Sequence, residues 1–290
     1  MEQPPFDFAI ENLPLAPLTI YNLGGPARLA LIPRTIREAE AAYAWVCRQP
    51  ERHIVLGGGS NVLIDDAGFD GIVLVTTKLD TIEPLGEDRY RIEAGVVLDR
   101  LVREIMIVNN YDLVGGLTGI PGTVGGAIYM NAGTVNGSTC MLMESVDVVG
   151  ATGRRRIPME ESLYAYRGQA FCRNGDLILE GCFKFWTAEK PQRPIYDHYI
   201  QRRKEKQPQG RCCGSVFKNP PGDHSGRLIE VAGLKGTRRG GAVISTMHGN
   251  FIMNENNATC ADILWLMDLC KRTVLEKFGV ELEEEVVYIR

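Results

Sequence analysis

The chain has 290 residues, which suggests about two domains, and its 44% apolar content can fill their interiors. A net charge of −4 argues against a general nucleic-acid or membrane-surface role, and no apolar run is long enough to span a bilayer. Eight cysteines form no CxxC pair, four histidines lie far apart, and the N-terminus lacks a basic segment followed by an apolar run. A cytoplasmic protein with free thiols and no metal site is therefore expected.

The first helix is expected over 35–48, with Thr35 as cap, Glu38 closing a capping box, and Ile36, Ala39, Tyr43 and Val46 on one face. Strands at 53–56 and 71–76 enclose Gly57-Gly58-Gly59-Ser60-Asn61. A plain turn needs one or two glycines, so three followed by Ser-Asn point to a nest of N–H groups facing a phosphate. Residues 90–97 alternate as a strand, and 98–108 place Leu98, Leu101, Val102, Ile105 and Met106 at helical spacing. The stretch 115–137 then gathers eight glycines and Pro121, yet it carries Ile120, Val124, Ile128 and Met130. Neither an ordinary helix nor a strand suits that composition, because glycine loses the most backbone entropy on folding. A packed loop cradling a phosphate and a run of tight turns are both open readings.

Further strands are expected at 145–149 and 177–185. Between them, Arg167 is a lone arginine among aromatic and small residues, ordinarily a surface group. Neither GxGxxG nor GxxxxGK[ST] occurs, so any nucleotide is held by glycine loops between strands. Residues 187–194 read as a linker. From 193 to 239 eleven Lys and Arg face four acids, interleaved with the loop-like CCGSVFKNPPG and AGLKGTRRGG. A charge run is most often a solvated face, but cationic loops also suit an anionic, diphosphate-bearing substrate. The helix at 259–278 is the clearest in the chain: Thr259 and Asp262 cap it, Ile263, Leu266, Met267, Cys270, Val274 and Phe278 form its stripe, and Gly279 ends it. Glu281, Glu283, Glu284 and Glu285 then lead into a short apolar strand.

Four motifs share one order. They are Gly57-Gly58-Gly59-Ser60-Asn61-Val62-Leu63; Gly119-Ile120-Pro121-Gly122-Thr123-Val124-Gly125-Gly126-Ala127 with Met130-Asn131-Ala132-Gly133; Gly214-Ser215-Val216-Phe217-Lys218-Asn219-Pro220, followed by Leu228-Ile229-Glu230 and Ala232-Gly233-Leu234-Lys235-Gly236; and Glu285-Val286. From about Leu23 onward the chain resembles the UDP-N-acetylenolpyruvoylglucosamine reductases, flavoenzymes of peptidoglycan precursor synthesis. The resemblance implies an α+β fold. A two-lobed FAD-binding region of vanillyl-alcohol-oxidase type (1–78 and 79–190) precedes a smaller α/β substrate-binding domain (191–290). It also implies FAD as cofactor, NADPH as hydride donor, and reduction of UDP-N-acetylglucosamine enolpyruvate to UDP-N-acetylmuramate. A hydride goes to the vinyl methylene carbon and a proton to its neighbour.

By the same matching, Gly57, Gly58, Gly59, Ser60, Asn61, Val62, Gly119, Pro121, Gly122, Thr123, Gly125, Gly126, Ala127, Asn131 and Gly133 bind the cofactor. Ser215 donates the proton, and Arg167 and Glu285 attend the substrate carboxylate. Tyr166, Lys206, Lys218, Asn219 and His248 contact substrate. Enolate formation calls for a fixed cation and a neutral acid at that carboxylate. Three features depart from the family pattern. Gln169 stands where a serine is usual, Cys212 and Cys213 replace small residues, and the interval between Arg167 and Ser215 is short, as in the branch without a substrate-covering tyrosine loop. In that branch Arg202 or Arg203 could cover the diphosphate instead. The rival readings are another FAD-dependent alcohol oxidase or dehydrogenase on the same scaffold, and a non-catalytic nucleotide-binding protein. The sequence leaves the oligomeric state open.

Overall fold

The computed structural model describes residues 2–173 and 175–290. Among these, the α-helices in chain order are α1 (Ile36–Val46), α2 (Leu98–Arg100, continued as a π-helix over Leu101–Met106), α3 (Val114–Leu117), α4 (Val124–Tyr129), α5 (Arg193–Lys206), α6 (Ser225–Val231) and α7 (Cys260–Phe278). The chain divides into two compact units. The first holds the chain up to Asn12, Arg28–Gly58 and Asp70–Gln201; the second holds Leu13–Ala27, Gly59–Phe69 and Arg202–Arg290. Two stretches that the linear subdivision placed before residue 78, Leu13–Ala27 and Gly59–Phe69, thus cluster with the C-terminal part of the chain.

The first unit carries two sheets. One has the strand order Ala9–Pro14, Pro26–Leu31, Phe69–Val75, His53–Leu56, the last two parallel. The other runs Gly153–Pro158, Met143–Gly150, Leu177–Lys184, Arg89–Glu93, Ile82–Gly86, all antiparallel. Helix α1 buries Ala39, Ala42, Tyr43, Trp45 and Val46 in one core with Leu29, Leu31, Ile72 and Leu74. Its expected capping box closes only by half. Thr35 Oγ1 accepts from the Glu38 N–H at 3.1 Å, but the Glu38 carboxylate takes the Arg34 N–H at 2.7 Å. The strand expected at 90–97 ends at Glu93, because Val97 turns away to pair with Thr123.

The glycine-rich stretch corrects the expectation that it excludes helix. It folds into α3, α4 and a two-stranded ribbon, Gly133–Thr134 with Gly137–Ser138. Close approach is the reason. A Cβ on Gly125 would lie 2.7 Å from the Ala94 Cβ, and the Gly125 N–H donates to the Ala94 carbonyl at 2.7 Å. Glycine lets the helical turn lie directly on the chain at 94–96, and that packing outweighs its poor intrinsic propensity.

In the second unit a three-stranded antiparallel sheet (Arg238–Arg239, Ala242–Ile244, Ile252–Asn254) shares its core with α6 and α7. Val287–Ile289 pairs in parallel with Val62–Ile64. Helix α7 follows the sequence reading closely. Thr259 and Asp262 form both halves of a capping box, Gly279 closes the helix in the left-handed region at φ 66°, and Ile263, Leu266, Met267, Cys270 and Val274 are buried. Phe278 departs from the expected stripe and is 36% exposed. Helix α5 was not foreseen; it buries no residue fully, and its one short stripe, Ile195, Tyr196, Tyr199 and Ile200, is half-buried within a charged run. Among the described residues no helix is long and apolar enough to cross a membrane.

Candidate active site

In the first unit the two glycine motifs pack against each other. A Cβ on Gly57 would sit 2.6 Å from Thr123 Oγ1, and one on Gly58 would sit 2.9 Å from the Gly122 Cα. Gly119 and Gly122 take left-handed backbones, φ 69° and 111°, which shape the turn around Pro121. Thr123 Oγ1 is buried, and among the described residues it has no hydrogen-bond partner. An unmet buried hydroxyl costs on the order of 1–3 kcal/mol. The packing of one segment on the other accounts for these two glycines; the unmet Thr123 hydroxyl beside them is what fits a ligand.

Asn131, Gly133 and Arg167 are brought together at the edge of that cradle. Asn131 is buried at φ 40°; its Oδ1 accepts the Cys140 N–H at 3.1 Å and its Nδ2 donates to the Ala165 carbonyl at 2.9 Å. That second bond ties the glycine segment to the hairpin Tyr164–Ala165/Gly168–Gln169, whose two-residue tip is Tyr166-Arg167. Arg167 holds φ 55°, donates from Nη1 to the Gly133 carbonyl at 3.1 Å, and lies 5.0 Å over the Tyr166 ring. The loop thus fixes its cation, where the bland expectation was a solvated surface arginine. The Gln169 amide is engaged on its own side of the hairpin. It caps the next turn, accepting from the Phe171 and Cys172 N–H groups at 2.9 and 2.7 Å and donating to the Cys172 carbonyl at 2.8 Å.

In the second unit Ser215 and Glu285 lie on neighbouring segments. The Val216 carbonyl accepts the Glu285 N–H at 2.8 Å, and the Lys218 N–H donates to the Glu283 carbonyl at 2.8 Å. Both Ser215 and Glu285 are half-buried. Asn61 belongs here too. Its Nδ2 donates to the Glu285 carbonyl at 2.9 Å, and its own carbonyl accepts the Val287 N–H at 3.0 Å. A residue of the first glycine motif therefore anchors the segment that carries the candidate acid, just before the strand Val287–Ile289. Gly59, at φ 60°, has no room for a side chain, since a Cβ would meet the Leu18 carbonyl oxygen. Lys218 pairs with the Glu283 carboxylate, Asn219 Oδ1 accepts the Ser225 N–H at 3.2 Å, and Lys206 is exposed at the end of α5.

The cysteines before Gly214 pack rather than react. Cys212 and Cys213 are buried, and burial pushes the Cys213 thiol up to about 12, so it stays protonated 3.4 Å from Tyr21 Oη. All eight cysteines are free. The sequence reading missed Tyr21 and Asn250. Tyr21 meets its partner 192 positions away, a separation that leaves no local pattern.

His248 Nδ1 accepts the Asn250 N–H at 3.2 Å, so the neutral ring carries its proton on Nε2. Burial, and then the nearby Lys235 charge, hold its pKa below 6.5, while Glu230 opposes them. The unfolded chain therefore takes up this proton first as the pH falls. The stability that the neutral ring contributes is full above 6.5 and is lost as the pH drops toward the lower folded-state value. Thermal melts below pH 6.5 are expected to show a decline that is shallower in His248→Gln; identical slopes in both proteins count against this ring as the titrating group.

Comparison with known proteins decides the family. The C-terminal domain of UDP-N-acetylenolpyruvoylglucosamine reductase matches residues 206–289, and an FAD binding domain matches 27–157. The UDP-N-acetylenolpyruvoylglucosamine reductase of Chloroflexus aggregans is 38% identical over 285 residues, 95% of each chain. The chain belongs to the UDP-N-acetylenolpyruvoylglucosamine reductase family. The enzyme of that name from Chlamydia trachomatis serovar D is 34% identical over 97% of this chain and 96% of its own. The crystal structure of the Thermus caldophilus reductase superposes with a TM-score of 0.80 at 32% identity, covering 97% of this chain and 98% of its own. The α+β class and the flavin-binding region expected from the motifs both stand.

Proposed function

We infer that this reductase uses NADPH, through FAD, to convert UDP-N-acetylglucosamine enolpyruvate to UDP-N-acetylmuramate in peptidoglycan precursor synthesis. Similarity to reductases of that name over 95% of both chains carries the reading. FAD fits the first unit on structural grounds of its own: the buried Thr123 hydroxyl has no partner among the described residues, and Gly126 beside it is exposed with room where a Cβ would stand. We assign its binding to Gly57, Gly58, Gly59, Ser60, Asn61, Val62, Gly119, Pro121, Gly122, Thr123, Gly125, Gly126, Ala127, Asn131 and Gly133. The flavin-binding role goes to 1–190 and the substrate-binding role to 191–290.

FAD, when bound, supplies the hydride for the vinyl methylene carbon. The remaining work falls to the chain. Arg167, held by the Gly133 carbonyl, stabilises the negative charge that builds on the substrate carboxylate as the enolate forms. Glu285 attends the same carboxylate as a neutral acid, because two adjacent anions would repel. Ser215 gives the proton on Oγ to the enolate carbon and recovers one from solvent, so the product gains one hydride and one proton. Tyr166, Lys206, Lys218, Asn219 and His248 are assigned to substrate contact. Lys218 and Asn219 follow Ser215 on the same segment. Free thiols throughout fit a reducing cytoplasm, where we place the enzyme.

The purified protein is expected to be yellow, to bleach with anaerobic NADPH, and to regain colour on addition of the enolpyruvyl nucleotide, with a product two mass units heavier than that substrate. Reoxidation by oxygen with an alcohol as reductant, or flavin that stays with the acid-precipitated protein, points instead to the rival alcohol oxidase. Flavin without turnover points to the non-catalytic nucleotide-binding reading.

A further inference from the structure

The segment that carries Ser215 has little regular structure to hold it. Within it, Phe217 makes only an isolated bridge to Glu284, and Gly214 just before Ser215 sits at φ 82°. The register comes instead from one buried side chain on another loop. Asn250, 3% exposed, accepts the Phe217 N–H on Oδ1 at 3.0 Å and donates from Nδ2 to the Phe217 carbonyl at 2.8 Å. Its backbone carbonyl accepts the Val216 N–H at 2.9 Å. A single asparagine thus imitates a strand partner along one edge of Val216-Phe217. The other edge is met by the Glu285 N–H, which donates to the Val216 carbonyl at 2.8 Å. Asn250 is itself fixed, because its own N–H donates to His248 Nδ1 at 3.2 Å and the Ser245 hydroxyl accepts the Met247 N–H at 3.1 Å.

We propose that Asn250 is a positioning residue which sets the register of Ser215 against Glu285 by clamping Val216 and Phe217 from the side opposite the Glu283–Glu285 segment. This rests on the proton-donor role assigned to Ser215 above. The hydrogen bonds of Asn250 to this segment fall on Val216 and Phe217, the two residues after Ser215. Removal of Asn250 therefore acts on the geometry of proton delivery. A misplacement of about 1 Å in such an arrangement can cost on the order of a hundredfold in rate.

The test uses full-length, flavin-loaded Asn250→Ala and Asn250→Ser, with rates normalised to bound flavin. Reduction by NADPH is expected to stay within about twofold of wild type. Reoxidation by the enolpyruvyl nucleotide should slow by roughly 10–100-fold, with KM for that nucleotide changed by less than about threefold. Hydrogen exchange in residues 212–218 should accelerate in the same variants, independently of turnover. A purely structural role would lower the folded fraction and leave the rate per flavin at the wild-type value, which overturns the proposal. Failure of both variants to yield flavin-loaded protein also assigns Asn250 to the fold alone and overturns it. If wild type is not reoxidised by the nucleotide at all, the functional reading falls instead, and hydrogen exchange still reports whether Asn250 clamps the segment.

Discussion

Ser215→Ala is expected to leave NADPH-driven bleaching of the flavin intact and to slow recovery of colour with the enolpyruvyl nucleotide by about 10²–10⁴-fold. That range is roughly 3–5 kcal/mol of transition-state stabilisation at 1.36 kcal/mol per factor of ten. The fold should barely notice the change. Ser215 is half-buried, and the backbone bonds that hold its segment belong to Val216, Phe217 and Lys218, not to its hydroxyl. Loss of one side-chain oxygen at such a site is usually within about 0.5 kcal/mol of neutral. Rapid mixing separates the two phases in one sample. A colour-recovery rate within threefold of wild type would remove Ser215 as the proton donor and leave solvent or another acid in that place. Substrate affinity adds a second reading: a pure proton donor leaves the nucleotide's Kd alone, whereas a binding residue weakens it.

Much of the fold was legible because local chemistry and tertiary packing agree. Helix α7 has the cap, the stripe and the terminating glycine together, and tertiary packing uses the same face. The strands near 53, 71, 145 and 177 were found within a few residues because they are short apolar or β-branched runs with clear breaks. The misses have physical causes. Helix α5 carries only a short, half-buried stripe, Ile195, Tyr196, Tyr199 and Ile200, set in a run of charges, so its period is weak. Helices α3 and α4 contain Gly115, Gly116, Gly125 and Gly126, and intrinsic propensity argues against them. Tertiary contact overrides that propensity: a Cβ on Gly115 would meet the Tyr199 ring at 2.7 Å, and one on Gly116 the Gly137 carbonyl at 2.8 Å. The interleaving of the two units had no compositional mark, since Leu13–Ala27 and Gly59–Phe69 look like their neighbours in sequence.

The site was legible where several unusual residues lie side by side and obscure where one ordinary residue reaches across the chain. Glycine clusters around Gly57 and Gly122 announce a backbone that lies close to something, and each does contact the other. Arg167 alone looks like a surface arginine; its bond to the Gly133 carbonyl and its place over the Tyr166 ring show that the charge is held. Asn61 reads as part of a phosphate-facing nest, and nothing local shows that it also anchors Glu285, 224 positions away. Asn250 sits in HGNFIMN, where an asparagine before a strand is commonplace, and nothing in that stretch names Phe217 as its partner 33 positions back. Long-range side-chain-to-backbone bonds of this kind follow from the fold and have no period of their own.

Gly126→Ala separates what the fold wants from what the ligand wants, and its expected result runs in two directions. Within the protein, a Cβ at this position meets only Thr123 Oγ1, at 3.8 Å, an ordinary contact. Gly126 is also exposed and lies inside α4 without a left-handed backbone. Alanine is a better helix former than glycine by about 1 kcal/mol, so the flavin-free protein should unfold at equal or slightly higher denaturant concentration. Flavin affinity should nonetheless fall by about tenfold or more, roughly 1.4 kcal/mol, if the cofactor lies against this exposed face. Gly58→Ala provides the contrast. Its Cβ would meet Gly122 Cα at 2.9 Å and the Thr123 backbone nitrogen at 3.3 Å, which are backbone atoms that cannot rotate aside. Overpacking of that kind costs about 1–3 kcal/mol, so stability and flavin content should fall together. Denaturant melts of the stripped proteins and titration with free FAD, followed by its fluorescence, give both numbers for both variants. Wild-type flavin affinity in Gly126→Ala would mean that the cofactor does not touch this turn, because no clash within the protein is available to mask the outcome.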